Sequence, residues 1–102
     1  MAWPFTAVTA PNRDSGSVTL TGSYADVPTF TAGTFGLKGL FVVNPTAAAI
    51  QLFVQDASAN PIIPGMWLAA GQVYQETFTA PEFASKPQWK GAGLVAKMEG
   101  WQ

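Results

Sequence analysis

The side chains that could do chemistry are few and their types are restrictive. The 102 residues contain no histidine and no cysteine, so the commonest general base, the thiol nucleophile and the usual zinc ligands are missing. Ser15, Ser17, Ser23, Ser58 and Ser85 sit in no nucleophile-elbow context. A pair of carboxylates could still hydrolyse a glycoside, one acting as acid and the other as base or nucleophile. The candidates are Asp26, Asp56, Glu76 and Glu82. They fall at turns or on one strand face, and nothing in their spacing sets two across a cleft. Carboxylates at turns ordinarily accept hydrogen bonds from local backbone amides. Asp56 and Asn60 resemble a calcium loop only in having two oxygen donors, without the alternating ligands and the bidentate acid. Lys90-Gly91-Ala92-Gly93 echoes a phosphate loop, but no helix start follows it. The sequence predicts no catalytic residue, no cofactor and no metal site, and the expectation is that the protein is not an enzyme.

Binding chemistry is better represented, and it is aromatic. Trp67, Tyr74 and Trp89, with Tyr24 nearby in type, could form a platform that stacks on sugar rings. Tryptophan and tyrosine also dominate protein–protein hot spots, and the competing expectation is that about half of these rings simply fill the core. Trp3 and Trp101, far from the middle of the chain, are expected with Phe5 to contact other chains.

Charge points the same way. Lys and Arg number 5 and Asp and Glu 6, so 11% of residues are charged and the net charge is −1. A soluble domain usually carries about 25%. Surface scaling gives a folded monomer of this mass roughly 5,500 Å², or roughly 500 Å² per charge, comparable to the largest apolar patch of a typical monomer. A surface so poor in charge is expected to be covered in part by copies of the chain or by a partner. Arg13, Lys38, Lys86, Lys90 and Lys97 make no basic face for nucleic acid, because Glu82 and Glu99 lie among the C-terminal lysines. No apolar run approaches a membrane span. The N-terminal MAWPFTAVTAPNR lacks the charged and apolar regions of a signal peptide, and Pro45 disqualifies Asn44-Pro45-Thr46 as a glycosylation site. Synthesis and assembly in a cytoplasm are expected.

The elements that would position these residues are short strands. Residues 1–16, with Pro4 and Pro11, read as an extended N-terminal arm, and residues 17–102 as one β-sandwich domain. Val18 and Leu20 alternate with threonines. Val27–Thr31 reads as an edge strand, because Pro28 lacks a backbone donor. Leu40–Val43 is continuously apolar, as in a strand covered on both faces. In Ile50–Asp56, Ile50, Leu52 and Val54 share the core face, and Gln51, Phe53 and Gln55 share the outward, protein-binding face. Ile62–Leu68 is a strand broken near Pro64-Gly65, and Gln72–Thr79 alternates again. Residues 80–93 read as irregular, with one helical turn at most. Leu94–Trp101 closes the chain with Leu94, Ala96 and Met98 on one face. Seven or eight short antiparallel strands with turns about every eight to twelve residues predict an all-β sandwich of jelly-roll type.

Three segments, VTLTGSY (18–24), KGLFVVNPTAAAIQLFVQD (38–56) and LAAGQVYQETF (68–78), resemble small structural proteins of tailed bacteriophages. In that group a strand after Lys-Gly ends at an Asn, a turn follows, and a sister strand carries an amide-rich face. The resemblance is spread over residues 18–78 and leaves out residues 1–16 and 80–93. It implies a β-sandwich that forms a homo-oligomer, as dimer or trimer, and decorates or cements the head by binding the major capsid protein. The expected location is the virion. A tail, neck or fibre component of the same fold is the alternative, as is a carbohydrate-binding or receptor-binding module.

Overall fold

Leu40, Val42, Leu52, Val54, Ala96 and Met98 occupy alternate positions of three strands, which directs all six to one side of their sheets. In the computed structural model, which describes residues 12–79 and 81–102, they meet between two antiparallel sheets. The strands are β1 (Asn12–Asp14), β2 (Val18–Thr19), β3 (Ala25–Asp26), β4 (Phe35–Val43), β5 (Ile50–Asp56), β6 (Pro61–Leu68), β7 (Val73–Thr77), β8 (Glu82–Phe83), β9 (Pro87–Lys90) and β10 (Val95–Trp101). One sheet runs β1-β10-β4-β7, with β2 also on β10 and β8 also on β4. The other runs β3-β9-β5-β6.

Two of the edges are single strands interrupted once. β1 and β2 both lie along β10, and Ser15 spans the break by donating its N–H to the Met98 carbonyl (3.0 Å) and accepting the Met98 N–H on Oγ (2.9 Å). β7 and β8 both lie along β4, joined by bonds from the Phe78 N–H to the Lys38 carbonyl (2.8 Å) and from the Leu37 N–H to the Pro81 carbonyl (3.0 Å). Each interrupted edge counted once, the ten segments make eight strands. Their order is first-eighth-third-sixth in one sheet and second-seventh-fourth-fifth in the other. That is the jelly-roll order, and the expected all-β sandwich is the fold.

Between the sheets, Trp89, Phe35, Leu37, Leu52, Leu68 and Leu94 are fully buried. Phe30 meets Phe35 edge-on at 5.6 Å, and Phe83 stacks on Phe35 at 5.3 Å, closing one end of the core. At the other end Asn44, fully buried, ties the sheets together. Its Nδ2 donates to the carbonyls of Ala48 (2.8 Å) and Leu68 (2.9 Å), and its Oδ1 accepts the Thr46 N–H (3.0 Å) and hydroxyl (2.7 Å). Asn44 follows β4 and Leu68 ends β6, so one amide links a strand of each sheet to the connection between β4 and β5.

Several sequence expectations need correction. The strand expected at Val27–Thr31 lies at Ala25–Asp26, because Pro28 and Thr29 form a turn in which Thr29 has φ +70°. It is nevertheless an edge strand. β4 is longer than Leu40–Val43 and is not covered on both faces: Leu40 and Val42 are buried, whereas Phe41 is 40% exposed. Residues 80–93 are not one irregular stretch, since β8 and β9 lie within them and β9 pairs with both β3 and β5. Of the expected arm 1–16, residues 12–14 pair with β10, so the sandwich extends to Asn12. Trp3 and Phe5 lie outside the described residues.

Candidate functional site

β5 presents its predicted faces: Leu52 and Val54 are buried, and Gln51, Phe53 and Gln55 point outward and are half-buried. The pairing register then fixes their neighbours. Gln51 lies opposite Trp67 of β6, Phe53 opposite Lys90 of β9, and Gln55 opposite Gln88, which in turn lies opposite Asp26 of β3. The outer face of this sheet thus has a polar row and an aromatic one.

The polar row is satisfied within the chain. Gln55 Nε2 donates to Gln88 Oε1 (3.3 Å), Gln88 Nε2 donates to Asp26 Oδ1 (2.9 Å), and Lys86 Nζ reaches Asp26 Oδ2 at 2.8 Å. The Lys86 ammonium, helped by the Gln88 amide, holds the Asp26 carboxyl below the usual carboxylate value.

The aromatic row is built around a cation. Lys90 Nζ lies 4.6 Å from the Tyr24 ring centroid and 4.7 Å from that of Phe53, inside the range of cation–π attraction. Phe53 reaches this position because β6 carries a bulge opposite it, at Gly65. Gly65 has φ +130°, and a Cβ there would lie 2.7 Å from Gln51 Nε2 and 2.9 Å from Phe53 Cε2. Glycine is therefore required by backbone conformation and by space together. Beside this row Trp67 is 62% exposed. It borders a shallow hollow of about 310 Å³ whose other walls include Gly22, Gln51, Phe53 and Lys90. An open face of rings and amides with one partly covered ammonium is suited to broad contact with another macromolecule. Exposed rings of this kind anchor interfaces when partner atoms exclude water from them.

The remaining predicted residues are dispersed. Trp89 is 1% exposed on the core face of β9, beside Val54 of the neighbouring strand β5, so it cannot stack on a ligand. Tyr74 lies on β7 in the other sheet, half-buried, with its hydroxyl bonded to the Glu76 carboxylate. Burial, and then Glu76, push its phenol up to about 12. The proposed sugar platform of Trp67, Tyr74 and Trp89 is therefore not a single surface. Trp101 is half-buried at the end of β10, with Lys38 Nζ 5.6 Å from its ring centroid, on the sheet opposite to Gln51, Phe53 and Gln55.

Of the carboxylates considered for hydrolysis, Asp26, Asp56 and Glu76 are engaged locally, whereas Glu82 Oε2 is buried with no hydrogen-bond partner among the described residues. Asp56 is buried where β5 ends, and its Oδ1 accepts the N–H groups of Ser58 and Asn60 (both 2.9 Å), while Oδ2 accepts the Asn60 side-chain amide (3.0 Å). Burial works against its ionisation, but the Asn60 and Ser58 donors outweigh it and leave the carboxyl below its usual value. In the glycine-rich turn after Lys90, the N–H groups of Gly91 and Gly93 donate to the Thr21 and Leu20 carbonyls (2.9 and 3.0 Å), so they are not directed at an anion. Among the described residues no group of three or more acidic side chains could hold a metal ion.

Sequence reasoning placed Gln51, Phe53 and Gln55 on one outward face and missed their partners. Lys90 and Gln88 belong to β9, whose alternation of buried Pro87 and Trp89 with outward Gln88 and Lys90 is a short period-two signal hidden among prolines and glycines.

The sequence matches no family model, and no curated protein matches it. Among solved structures the chain is similar to the core of Drosophila NLP, with a TM-score of 0.48 and 18% identity, over 88% of this chain and 94% of that one. That structure was described for pentamer formation and histone binding, which are properties of that protein.

Proposed function

We propose that this protein is a non-enzymatic assembly module that decorates or cements the head of a tailed bacteriophage, acting as a homo-oligomer bound to major capsid subunits. The observation that carries the reading is the outer face of β9, β5 and β6. There Phe53 and Tyr24 flank the Lys90 ammonium, Trp67 lies exposed beside them, and Gln51, Gln55 and Gln88 supply amides. Such a face costs little desolvation energy on contact, because the Lys90 ammonium is already attended by rings, the Asp26 carboxylate at its margin is paired with Lys86, and the remaining polar groups are neutral amides. Jelly rolls serve as capsid and as lectin domains, so the fold alone does not choose between them. The choice of a virion rests on the resemblance of residues 18–24, 38–56 and 68–78 to phage structural proteins. Many identical modules on a symmetric shell also gain avidity, so that each contact can be weak.

The test is to mix purified protein with emptied, undecorated phage heads and image them by electron cryomicroscopy. Added density at regular positions, lost with Phe53→Ala together with Trp67→Ala, is the expected result. A folded protein that leaves heads, tails and necks all undecorated overturns the reading, whereas density confined to tail or neck moves the module within the particle. A second reading, glycan or receptor binding, is favoured by the 62% exposure of Trp67 beside a hollow. Quenching of Trp67 fluorescence by a defined oligosaccharide, abolished by Trp67→Ala, would support it.

A further inference from the structure

We infer that the β7 edge is a self-pairing site, through which two copies of the chain join their β1-β10-β4-β7 sheets antiparallel about a two-fold axis at Gln75. The inference deepens the assembly reading above and rests on it only for the meeting of copies at high local concentration.

The four sheet edges are not alike. An open edge invites strand addition unless it is short, kinked, charged or interrupted by proline. β3 has two residues and runs into Pro28. β6 carries Pro61 and Pro64 and the bulge at Gly65. The β1–β2 edge is interrupted around Gly16. β7 has five consecutive residues, Val-Tyr-Gln-Glu-Thr, with no proline, glycine or lysine and no register shift against β4.

The hydrogen-bond phase of β7 is fixed at both ends. The Gln72 carbonyl accepts the Asn44 N–H (2.9 Å), and the Phe78 N–H donates to the Lys38 carbonyl (2.8 Å). In an antiparallel ladder the bonded pairs recur every second residue. Tyr74 and Glu76 therefore direct their backbone groups to Val42 and Leu40 of β4. The N–H and C=O groups of Val73, Gln75 and Thr77 are directed away from β4, toward the open side, and among the described residues none of them has a bond outside the ladder. All three residues are exposed, Val73 by 53%.

That phase selects a single self-pairing register. Only with Gln75 opposite the Gln75 of a second copy, and Val73 opposite its Thr77, do all the outward groups find partners. The same register sets each Glu76 opposite a Tyr74 and not opposite the other Glu76, so no like charges face each other directly. On the outer side it extends the row formed by Val95, Val43 and Val73, paired in that order across β10, β4 and β7. A two-strand junction alone buries less than the roughly 1,200 Å² of a stable interface. Dimers are therefore weak in dilute solution and are consolidated where a scaffold brings copies together.

The chain contains no cysteine, so single thiols report proximity cleanly. In a directly bonded pair the Cα atoms lie about 5.5 Å apart, within disulfide reach. Gln75→Cys is expected to oxidise to a covalent dimer of twice 10.8 kDa at least about tenfold faster than Gln51→Cys on the opposite sheet. Register is read with charge pairs in the Gln75→Cys background. Val73→Lys with Thr77→Lys sets lysines opposite each other and is expected to slow cross-linking, whereas Val73→Lys with Thr77→Glu sets opposite charges together and restores it. Circular dichroism confirms that each variant is folded. Equal rates at residues 75 and 51, or folded charge variants that cross-link alike, overturn the inference. Head binding is a separate readout: copies that decorate heads without cross-linking at Gln75 defeat the pairing and not the decoration, and cross-linking without decoration does the reverse.

Discussion

Replacing Asn44 by alanine isolates one side chain that links the two sheets. The substitution removes both donors and the acceptor of a fully buried amide. The Leu68 carbonyl, held at 2.9 Å and buried, loses its Asn44 partner, and leaving such a group unpaired costs about 1–3 kcal/mol. The Ala48 carbonyl keeps a bond from the Thr46 hydroxyl (2.9 Å), so it adds little. The Thr46 N–H loses its acceptor, which contributes about 0.5–1.5 kcal/mol, while the Thr46 hydroxyl retains the Ala48 carbonyl. The sum is about 2–4 kcal/mol. With a urea slope of about 2 kcal/mol per molar, the middle of the range for small proteins, the unfolding midpoint falls by about 1–2 M. Asn44→Asp keeps an acceptor for Thr46 but directs a carboxylate at two carbonyls, and at pH 7 it should be at least as unstable as the alanine variant. Equilibrium urea unfolding followed by tryptophan fluorescence measures all three proteins. A loss below about 0.5 kcal/mol for Asn44→Ala, or an Asn44→Asp variant as stable as the parent, would refute the role assigned to this amide.

Other perturbations have equally definite outcomes. Trp89→Ala empties the centre of the core and should cost about 3–5 kcal/mol, measured by calorimetry; a smaller loss would mean the sheets close over the space. Gly100→Ala should leave little folded protein by circular dichroism, since a Cβ there overlaps the Gly36 carbonyl and presses on Phe30 at 3.2 Å. Asp14, Asp26 and Asp56 all have carboxyls lowered from 3.8. Their contribution is present above that value and lost as pH falls through the still lower folded values. Asp56→Asn should therefore flatten the decline of stability below about pH 4 while lowering stability at neutral pH, and an unchanged acid limb in urea titrations would contradict it. Lys90→Met should alter stability by no more than about 1 kcal/mol, because cation–π contacts at exposed sites are worth that much or less.

How far the sequence discloses this structure depends on where the signal is periodic. In β5 and β10, alternation over seven residues each identifies both strand and face, because burial of every second side chain is what holds such a strand in register. Prolines and glycines obscure the same logic in β9, where four residues supply too few alternations to stand out between Lys86 and Gly91. Leu40–Val43 misleads for the opposite reason: its continuous apolarity implies two covered faces, yet a single chain covers one and leaves Phe41 outside. Composition indicated a surface poor in charge. It gave no sign that Lys90 would lie between Tyr24 and Phe53, since that depends on a strand pairing between residues 53 and 90. Asn44 was legible as a residue at the end of a strand, but its role as a clamp depends on the distant Leu68 carbonyl.

The position of β10 also bears on how the molecule comes to fold. This last strand in chain order is flanked by β1 and β2 on one side and by β4 on the other. A sheet whose interior strand is the last to be synthesised cannot be completed progressively as the chain emerges. Until Val95–Trp101 arrive, β2 and β4 lack the strand that lies between them. Closing the sheet then joins residues as far apart as Asn12 and Trp101, a pairing with a large loop-entropy penalty. Folding is consequently expected to be slow, in the millisecond-to-second range of non-local β-proteins, and to begin in the local hairpin of β5 and β6. Translation would thus expose the core face of that hairpin, Leu52, Val54 and Leu68, before its covering sheet exists.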